Sequence, residues 1–271
     1  MTGVQEQPSA NARKAATAAR MYDYYLGGIH NFPADREAAE AVIAQFPFIR
    51  DAARANRGFV AAAARFLAES GIKQYLDVGS GIPTVDNVHT IVRGPQPDAR
   101  VVYVDLDPVA VAEGLEILAG DERAVAVRGD LLQPRAILEH PEVRRVLDLG
   151  RPVGLILAAV LHFVPDHATA EAVTAELLAA LPPGSYLVVS HTATESFTMI
   201  GRSPAAEDVY QRRTATPGTV RTRAEVERLF AGLELVEPGV VWAQQWAPGT
   251  AADQPQPAGP GGIWAGVGRK P

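Results

Sequence analysis

From Gly71 onward, short apolar runs alternate with stretches of helical periodicity. The runs cover residues 74–78, 100–104, 124–127, 153–159 and 185–190. The helical candidates between them are 87–93, 109–118, 134–138 and 169–181. The runs are nearly continuous in Val, Ile and Leu, as expected for parallel strands with helices over both faces. Such alternation predicts an open α/β sheet with right-handed crossovers. Nearer the end, residues 222–231 read as a helix, followed by strand-like runs at 233–242 and 263–268. The segment APGTAADQPQPAGPGG, residues 247–262, reads as an exposed loop. Two strands joined by it predict an antiparallel hairpin at the sheet edge. No internal repeat is visible.

The first 70 residues follow another pattern. Residues 21–70 read as helical, cut into pieces by Gly27, Gly28, Pro33 and Pro47. A helix over 34–44 is entered through Pro33, with Asp35 and Glu37 where a helix N-terminus favours negative charge. Over 51–70, Phe59, Ala63, Phe66 and Leu67 recur at helical spacing, and Gly71 suits the C-cap. Residues 1–20 lack an apolar h-region and are expected to form a flexible arm rather than a secretory signal. The expected division is an arm at 1–20, a helical extension or lid at 21–70, and an α/β domain at 71–271.

Composition narrows the function. With 25 Lys+Arg against 31 Asp+Glu among 271 residues, the net charge of −6 disfavours nucleic acid as a partner, since that binding needs a basic face. The absence of cysteine removes disulfides, thiolate nucleophiles, zinc knuckles and iron–sulfur clusters. No apolar run approaches eighteen residues, so no membrane partner is expected and a cytoplasmic location is. The oligomeric state is not legible.

The candidate chemistry sits at the strand ends. The first strand closes in Asp77-Val78-Gly79-Ser80-Gly81-Ile82-Pro83-Thr84. Glycines after a buried strand let the backbone approach a ligand, and the next helix brings unpaired N–H groups. The pattern is D-x-G-x-G rather than the dinucleotide G-x-G-x-x-G, because Thr84 stands three residues after Gly81. Asp77 is placed to face the cleft where open α/β sheets bind ligands. The second strand closes in Tyr103-Val104-Asp105-Leu106-Asp107-Pro108. Asp105 suits the two hydroxyls of a ribose, and Asp107 before Pro108 suits a helix N-cap. The third closes in Gly129-Asp130-Leu131, where Asp130 suits an adenine amino group, with Leu106 and Leu131 over the ring faces. Three carboxylates also repel phosphate, favouring an adenosine ligand without a pyrophosphate.

The order D-V-G-S-G, Y-V-D-L-D, G-D-L and L-A-A-V-L-H-F-V is similar to class I S-adenosylmethionine-dependent methyltransferases. The further motifs R-M-Y-D-Y-Y-L-G-G-x-x-N-F-P-A-D-R-E, A-R-A-N-R-G-F, V-D-N-V-H and L-V-V-S-H-T resemble one bacterial S-adenosyl methyltransferase family, long catalogued as a domain of unknown function. The likeness runs from about Ala19 to Gly268. It implies a Rossmann-like seven-stranded sheet with strand seven antiparallel, an N-terminal helical extension, and S-adenosyl-L-methionine as cofactor. It implies cofactor contacts at Asp77, Gly79, Ser80, Gly81, Asp105, Leu106, Gly129, Asp130, Leu131 and, in the L-A-A-V motif, Ala159. It supplies no substrate. Pro83 stands where many such enzymes carry a third glycine.

His162 follows the fourth strand and His191 the fifth. Each suits either a general base or a loop-fixing histidine. No N-P-P-Y motif is present, and the spacing of His30, His162, Asp166 and His167 fits no ordinary metal-ligand set. Three of the seven tyrosines (Tyr22, Tyr24 and Tyr25) gather in the extension around Gly27-Gly28. That composition predicts a closing segment over the cofactor, with Tyr22, Asn31 and Arg36 as contacts and Arg36 on the methionine carboxylate. The expected activity is methyl transfer to a small-molecule nucleophile. The alternatives are an S-adenosylmethionine-binding sensor without transferase activity and an NAD-dependent oxidoreductase. The missing third glycine and pyrophosphate site disfavour the last.

Overall fold

The computed structural model describes residues 16–83, 87–195, 218–249 and 262–271. Three helices come first: α1 (Ala18–Tyr25), α2 (Pro33–Gln45) and α3 (Ile49–Glu69). Then follow β1 (Gln74–Val78), α4 (Val88–Arg93), β2 (Arg100–Asp105), α5 (Pro108–Ile117), β3 (Ala124–Arg128), α6 (Pro134–Glu139), α7 (Pro141–Val146) and β4 (Gly154–Ala158). After a single 3-10 turn at Leu161–Phe163 come α8 (His167–Ala179), β5 (Tyr186–Thr192), α9 (Arg223–Arg228), β6 (Glu234–Leu235), β7 (Val241–Trp242) and β8 (Ile263–Arg269). Most of the expected arm, Thr84 and residues 250–261 of the 247–262 loop lie outside the described residues.

The strands form one sheet in the order β3-β2-β1-β4-β5-β8-β6, with β7 also paired to β8. The first five are parallel, and β8 runs antiparallel to β5, β6 and β7. This is the mostly parallel open sheet that the apolar runs anticipate, in the Rossmann-like form that the resemblance implies. It has eight strands where seven were expected, because the last part of the chain supplies β6 and β7 as well as β8. The end of the sheet differs from the simple edge hairpin. β8 inserts between β5 and the β6 and β7 pieces: all seven of its residues pair with β5, and Trp264, Ala265, Gly268 and Arg269 pair on the other side as well. The expected single strand at 233–242 breaks into β6 and β7, because Pro238 has no N–H to give and Gly239 turns the chain at φ 82°.

Both faces are covered. On β1, Leu76 and Val78 join a core with Val102, Val104 and Leu157. Tyr75 joins the opposite core with Val101, Tyr103 and the α3 residues Phe59, Ala63 and Leu67. A third, smaller core of Met21, Tyr25, Ala39, Val42, Phe46 and Ala53 holds the extension together. Helix α1 starts inside the span expected to be an arm, and Arg20 is completely buried, so residues 17–20 are structured. Among the described residues, no helix is long and apolar enough to cross a membrane.

Candidate active site

Parallel strands bring their carboxyl ends to one edge of the sheet, and with them Asp77, Asp105 and Asp130. The chain turns out of β1 through two left-handed glycines, Gly79 (φ 74°) and Gly81 (φ 64°). A Cβ on Gly79 would lie 2.1 Å from Val160 Cγ2, so this glycine is required for the loop to seat against the turn after β4. A Cβ on Gly81 would meet nothing within 4 Å, which leaves the loop open there. The amides of Gly79 and Ser80 both donate to the Val104 carbonyl, at 2.7 and 3.1 Å.

Asp105 organises this edge. Its Oδ2 accepts from the Gly81 N–H at 2.8 Å and its Oδ1 from the Asp107 N–H at 2.8 Å. Burial nevertheless raises its carboxyl to about 6, with those N–H groups pulling the other way. Burial pushes the Asp77 carboxyl up to about 7, opposed by the Arg57 guanidinium and reinforced by the Asp105 charge. Asp107 is the N-cap of α5, accepting from Val109 N–H at 2.9 Å. Its other oxygen accepts from Thr17 Oγ1 at 2.6 Å and faces Arg20 Nε at 3.2 Å. The cap is therefore also the anchor of the extension.

Asp130 and Leu131 close β3 differently from expectation. Asp130 accepts from Leu132 N–H at 2.9 Å, a tight turn that leaves Leu131 in the core at 8% exposure and Leu132 outside at 52%. Of the two leucines expected over a ring, only Leu106, 56% exposed, is free of the core. Gly129 is a packing glycine, since a Cβ there would approach Val104 Cγ1 at 2.5 Å.

Ala159 is the one non-glycine residue with positive φ (51°) among the described residues. It follows β4, and its N–H donates to Ser190 Oγ at 2.9 Å and the Ser190 carbonyl at 3.1 Å. Beyond it the two histidines part company. His191 is fully buried, with Nδ1 2.9 Å from the Thr192 carbonyl and Nε2 2.5 Å from Arg221 Nη1. A carbonyl only accepts and a guanidinium only donates, so the ring is the neutral Nδ1–H tautomer. Burial and the neighbouring His162 hold it well below its ordinary range. It is not an available base; it fixes Arg221, whose other contacts include the carbonyls of Leu161 (2.9 Å) and Val164 (2.8 Å). His162 has Nδ1 3.3 Å from Thr192 Oγ1 and is lowered to about 4 by burial and the Arg221 charge, so it too is neutral near pH 7.

The extension is docked rather than hinged. Arg20 bridges Asp107 and Asp35 with all three side chains nearly inaccessible. The Gly27-Gly28 joint is a tight turn: a Cβ on Gly28 would collide with the Asp23 carboxylate at 2.0 Å. That carboxylate accepts from His30 N–H and Asn31 Nδ2, both at 2.9 Å. Asn31 is thus committed to the turn. Arg36 is exposed, with Nη1 3.0 Å from the Asn31 carbonyl and Oδ1, so its assignment to a methionine carboxylate loses its basis. Tyr22 donates to the Ala53 carbonyl at 3.0 Å and accepts from Asn56 Nδ2 at 2.8 Å.

Asn56, Arg57, Ser190 and Arg221 were not singled out from the sequence. The first two lie in A-R-A-N-R-G-F and Ser190 in L-V-V-S-H-T, so family motifs pointed at them while helical periodicity did not. A separate cavity of about 1180 Å³ opens at the opposite, amino-terminal ends of the strands, lined by Lys73, Arg100, Arg144 and Arg151 among others. It contains none of Asp77, Asp105 and Asp130, and the chemistry assigns the cofactor to the other end. Among the described residues no group of three or more His, Asp or Glu is arranged to hold a metal ion.

A family profile described as S-adenosyl methyltransferase matches residues 4–271. A crystal structure of a methyltransferase candidate from Thermobifida fusca YX is 38% identical, with a TM-score of 0.85, covering 97% of this chain and 98% of its own. A DUF574 family protein from Streptomyces avermitilis MA-4680 is 40% identical, with a TM-score of 0.86, covering 96% of this chain and 99% of its own. No curated protein matches the chain.

Proposed function

The chain belongs to the S-adenosyl methyltransferase family, with S-adenosylmethionine as its cofactor, and from that premise we propose that it methylates a small-molecule nucleophile in the cleft above β1, β2 and β4. The observation that carries this reading is the pair of desolvated carboxyls, Asp77 and Asp105, beside a glycine loop open at Gly81. The residues fit the cofactor. No hydrogen bond reaches the Asp77 carboxyl among the described residues, and a buried carboxyl held near 7 gains from a cationic donor such as an α-ammonium group. Asp105 uses one lone-pair direction of each oxygen on backbone N–H groups and keeps the others for ribose hydroxyls. Arg57, whose charge acts on Asp77, Tyr22 and Tyr103, is better supported for the methionine carboxylate than Arg36. Leu106, with Leu132 in place of Leu131, supplies exposed apolar surface for an adenine ring.

When bound, S-adenosylmethionine supplies a methyl group on a cationic sulfur that a nucleophile displaces in line. The protein's part is alignment and exclusion of water. In this reading the docked extension, which starts with α1 at Ala18 and is tied through α3 into the core of the sheet, acts as a fixed roof for the 71–271 domain. A neutral His162 lowered to about 4 is a weak base near pH 7, which favours acceptors that arrive already nucleophilic. The net charge of −6 supports a small molecule rather than nucleic acid, and a cytoplasmic location belongs to the same reading. Calorimetric titration with S-adenosylhomocysteine and NAD tests the cofactor: binding of NAD alone would refute it. Incubation with methyl-labelled S-adenosylmethionine and a fractionated cell extract tests the acceptor. Label in a low-mass fraction is expected, and label confined to macromolecules would overturn the small-molecule reading.

A further inference from the structure

One run of hydrogen bonds links the N-terminal extension to the strained turn after β4. The Ala159 N–H donates to Ser190 Oγ at 2.9 Å, and Ser190 Oγ–H donates to Asn56 Oδ1 at 2.5 Å. Asn56 Nδ2 donates to Tyr22 OH at 2.8 Å, and Tyr22 OH donates to the Ala53 carbonyl at 3.0 Å. Donors and acceptors are consistent at every step, so each hydroxyl gives one proton and takes one. Ser190 and Asn56 are 0% and 3% exposed, so no solvent competes for these bonds. The run joins α1, α3, β5 and the turn.

The turn it holds is unusual in two ways. Ala159 adopts φ 51°, which an L-residue occupies at a cost of about 1–2 kcal/mol and keeps only when its surroundings enforce it. The next residue, Val160, fills the space where a Gly79 side chain would stand. The left-handed turn and the glycine loop are therefore interlocked, and whatever holds Ala159 also holds the loop beside Asp77.

We propose that Asn56 and Ser190 are positioning residues for methyl transfer: they lock the Ala159–Val160 turn against the Gly79 loop, and Tyr22 couples that lock to the docked extension. This rests on the assignment of the cofactor to that loop. The side chains are not catalytic residues, because they act through Ala159.

The test uses the full chain and S-adenosylhomocysteine calorimetry, with urea unfolding and peptide-resolved hydrogen exchange alongside. Ser190→Ala and Asn56→Ala should each weaken binding roughly tenfold, and the double variant should be no weaker than the worse single, as one connected network requires. Ser190→Thr keeps the hydroxyl and should restore affinity to within about threefold of the parent. Tyr22→Phe removes only the peripheral hydroxyl and gives a milder variant should the others fail to fold; it should speed exchange at Ala159 while β4 stays protected. Variants that lose stability yet bind like the parent would overturn the proposal, as would Ser190→Thr binding as weakly as Ser190→Ala. A parent chain that does not bind S-adenosylhomocysteine would refute the cofactor assignment instead, and unchanged exchange at Ala159 in Asn56→Ala would still refute the lock.

Discussion

Replacing Asp77 by Asn separates stability from binding at the carboxyl that burial in the cleft perturbs most. Burial raises this carboxyl from 3.8 to about 7, and at 1.36 kcal/mol per pH unit that amounts to roughly 4 kcal/mol against the ionised form. Between about pH 4 and pH 7 the folded chain keeps a proton on Asp77 that the unfolded chain releases. The folded state binds more protons there, so this group lowers stability as pH rises through that window. Asn carries no proton in either state. Asp77→Asn should match the parent near pH 4 and exceed it by up to roughly 4 kcal/mol near pH 8, less whatever the Arg57 guanidinium loses by facing a neutral amide. Binding should move the other way. Loss of one charge-assisted bond, worth about 1.5–3 kcal/mol, predicts S-adenosylhomocysteine binding roughly 10- to 150-fold weaker at the higher pH. Urea unfolding and titration calorimetry at about pH 4.5 and about pH 8 measure both. A stability difference that does not change with pH, or an Asn variant that binds like the parent, would refute the reasoning.

Asp105→Ala should weaken S-adenosylhomocysteine by roughly 2–4 kcal/mol, read by calorimetry, because it removes the ribose acceptor and also frees the Gly81 N–H. Asp107→Ala should cost roughly 2–4 kcal/mol in urea unfolding, about 1 from the cap and the rest from a buried Arg20 that loses the Asp107 carboxylate. Asp107→Asn, which keeps the cap, should recover about the first of these. Ala159→Gly should raise the thermal midpoint by relieving about 1 kcal/mol of left-handed strain. A lowered midpoint there would show that the turn is not strained.

Much of this molecule follows from local rules. Apolar runs covered on both faces predicted β1 to β5 within a residue or two, because a strand buried on both sides is apolar through most of its length, with polar residues chiefly toward its ends. The cap at Asp107 and the helix entry at Pro33 were legible for the same reason: caps are satisfied within three residues of themselves. The carboxylates at the strand ends were legible because parallel topology delivers successive strand termini to one edge. Local rules failed where partners are distant in sequence. Whether Leu131 or Leu132 turned inward depended on a single Asx-type hydrogen bond, and the placing of β8 inside the sheet depended on β5 being free to pair. Asn31 and Arg36 read as ligand groups until the turn at Gly28 showed what they already hold. His191 read as either a base or a loop-fixing histidine until Arg221 took its Nε2. Ser190 meets Asn56 across 134 residues of chain. Contacts of that span carry no periodicity, cap or spacing signal; only the folded chain brings together the groups that decide which polar side chains are spent on structure and which remain for a ligand.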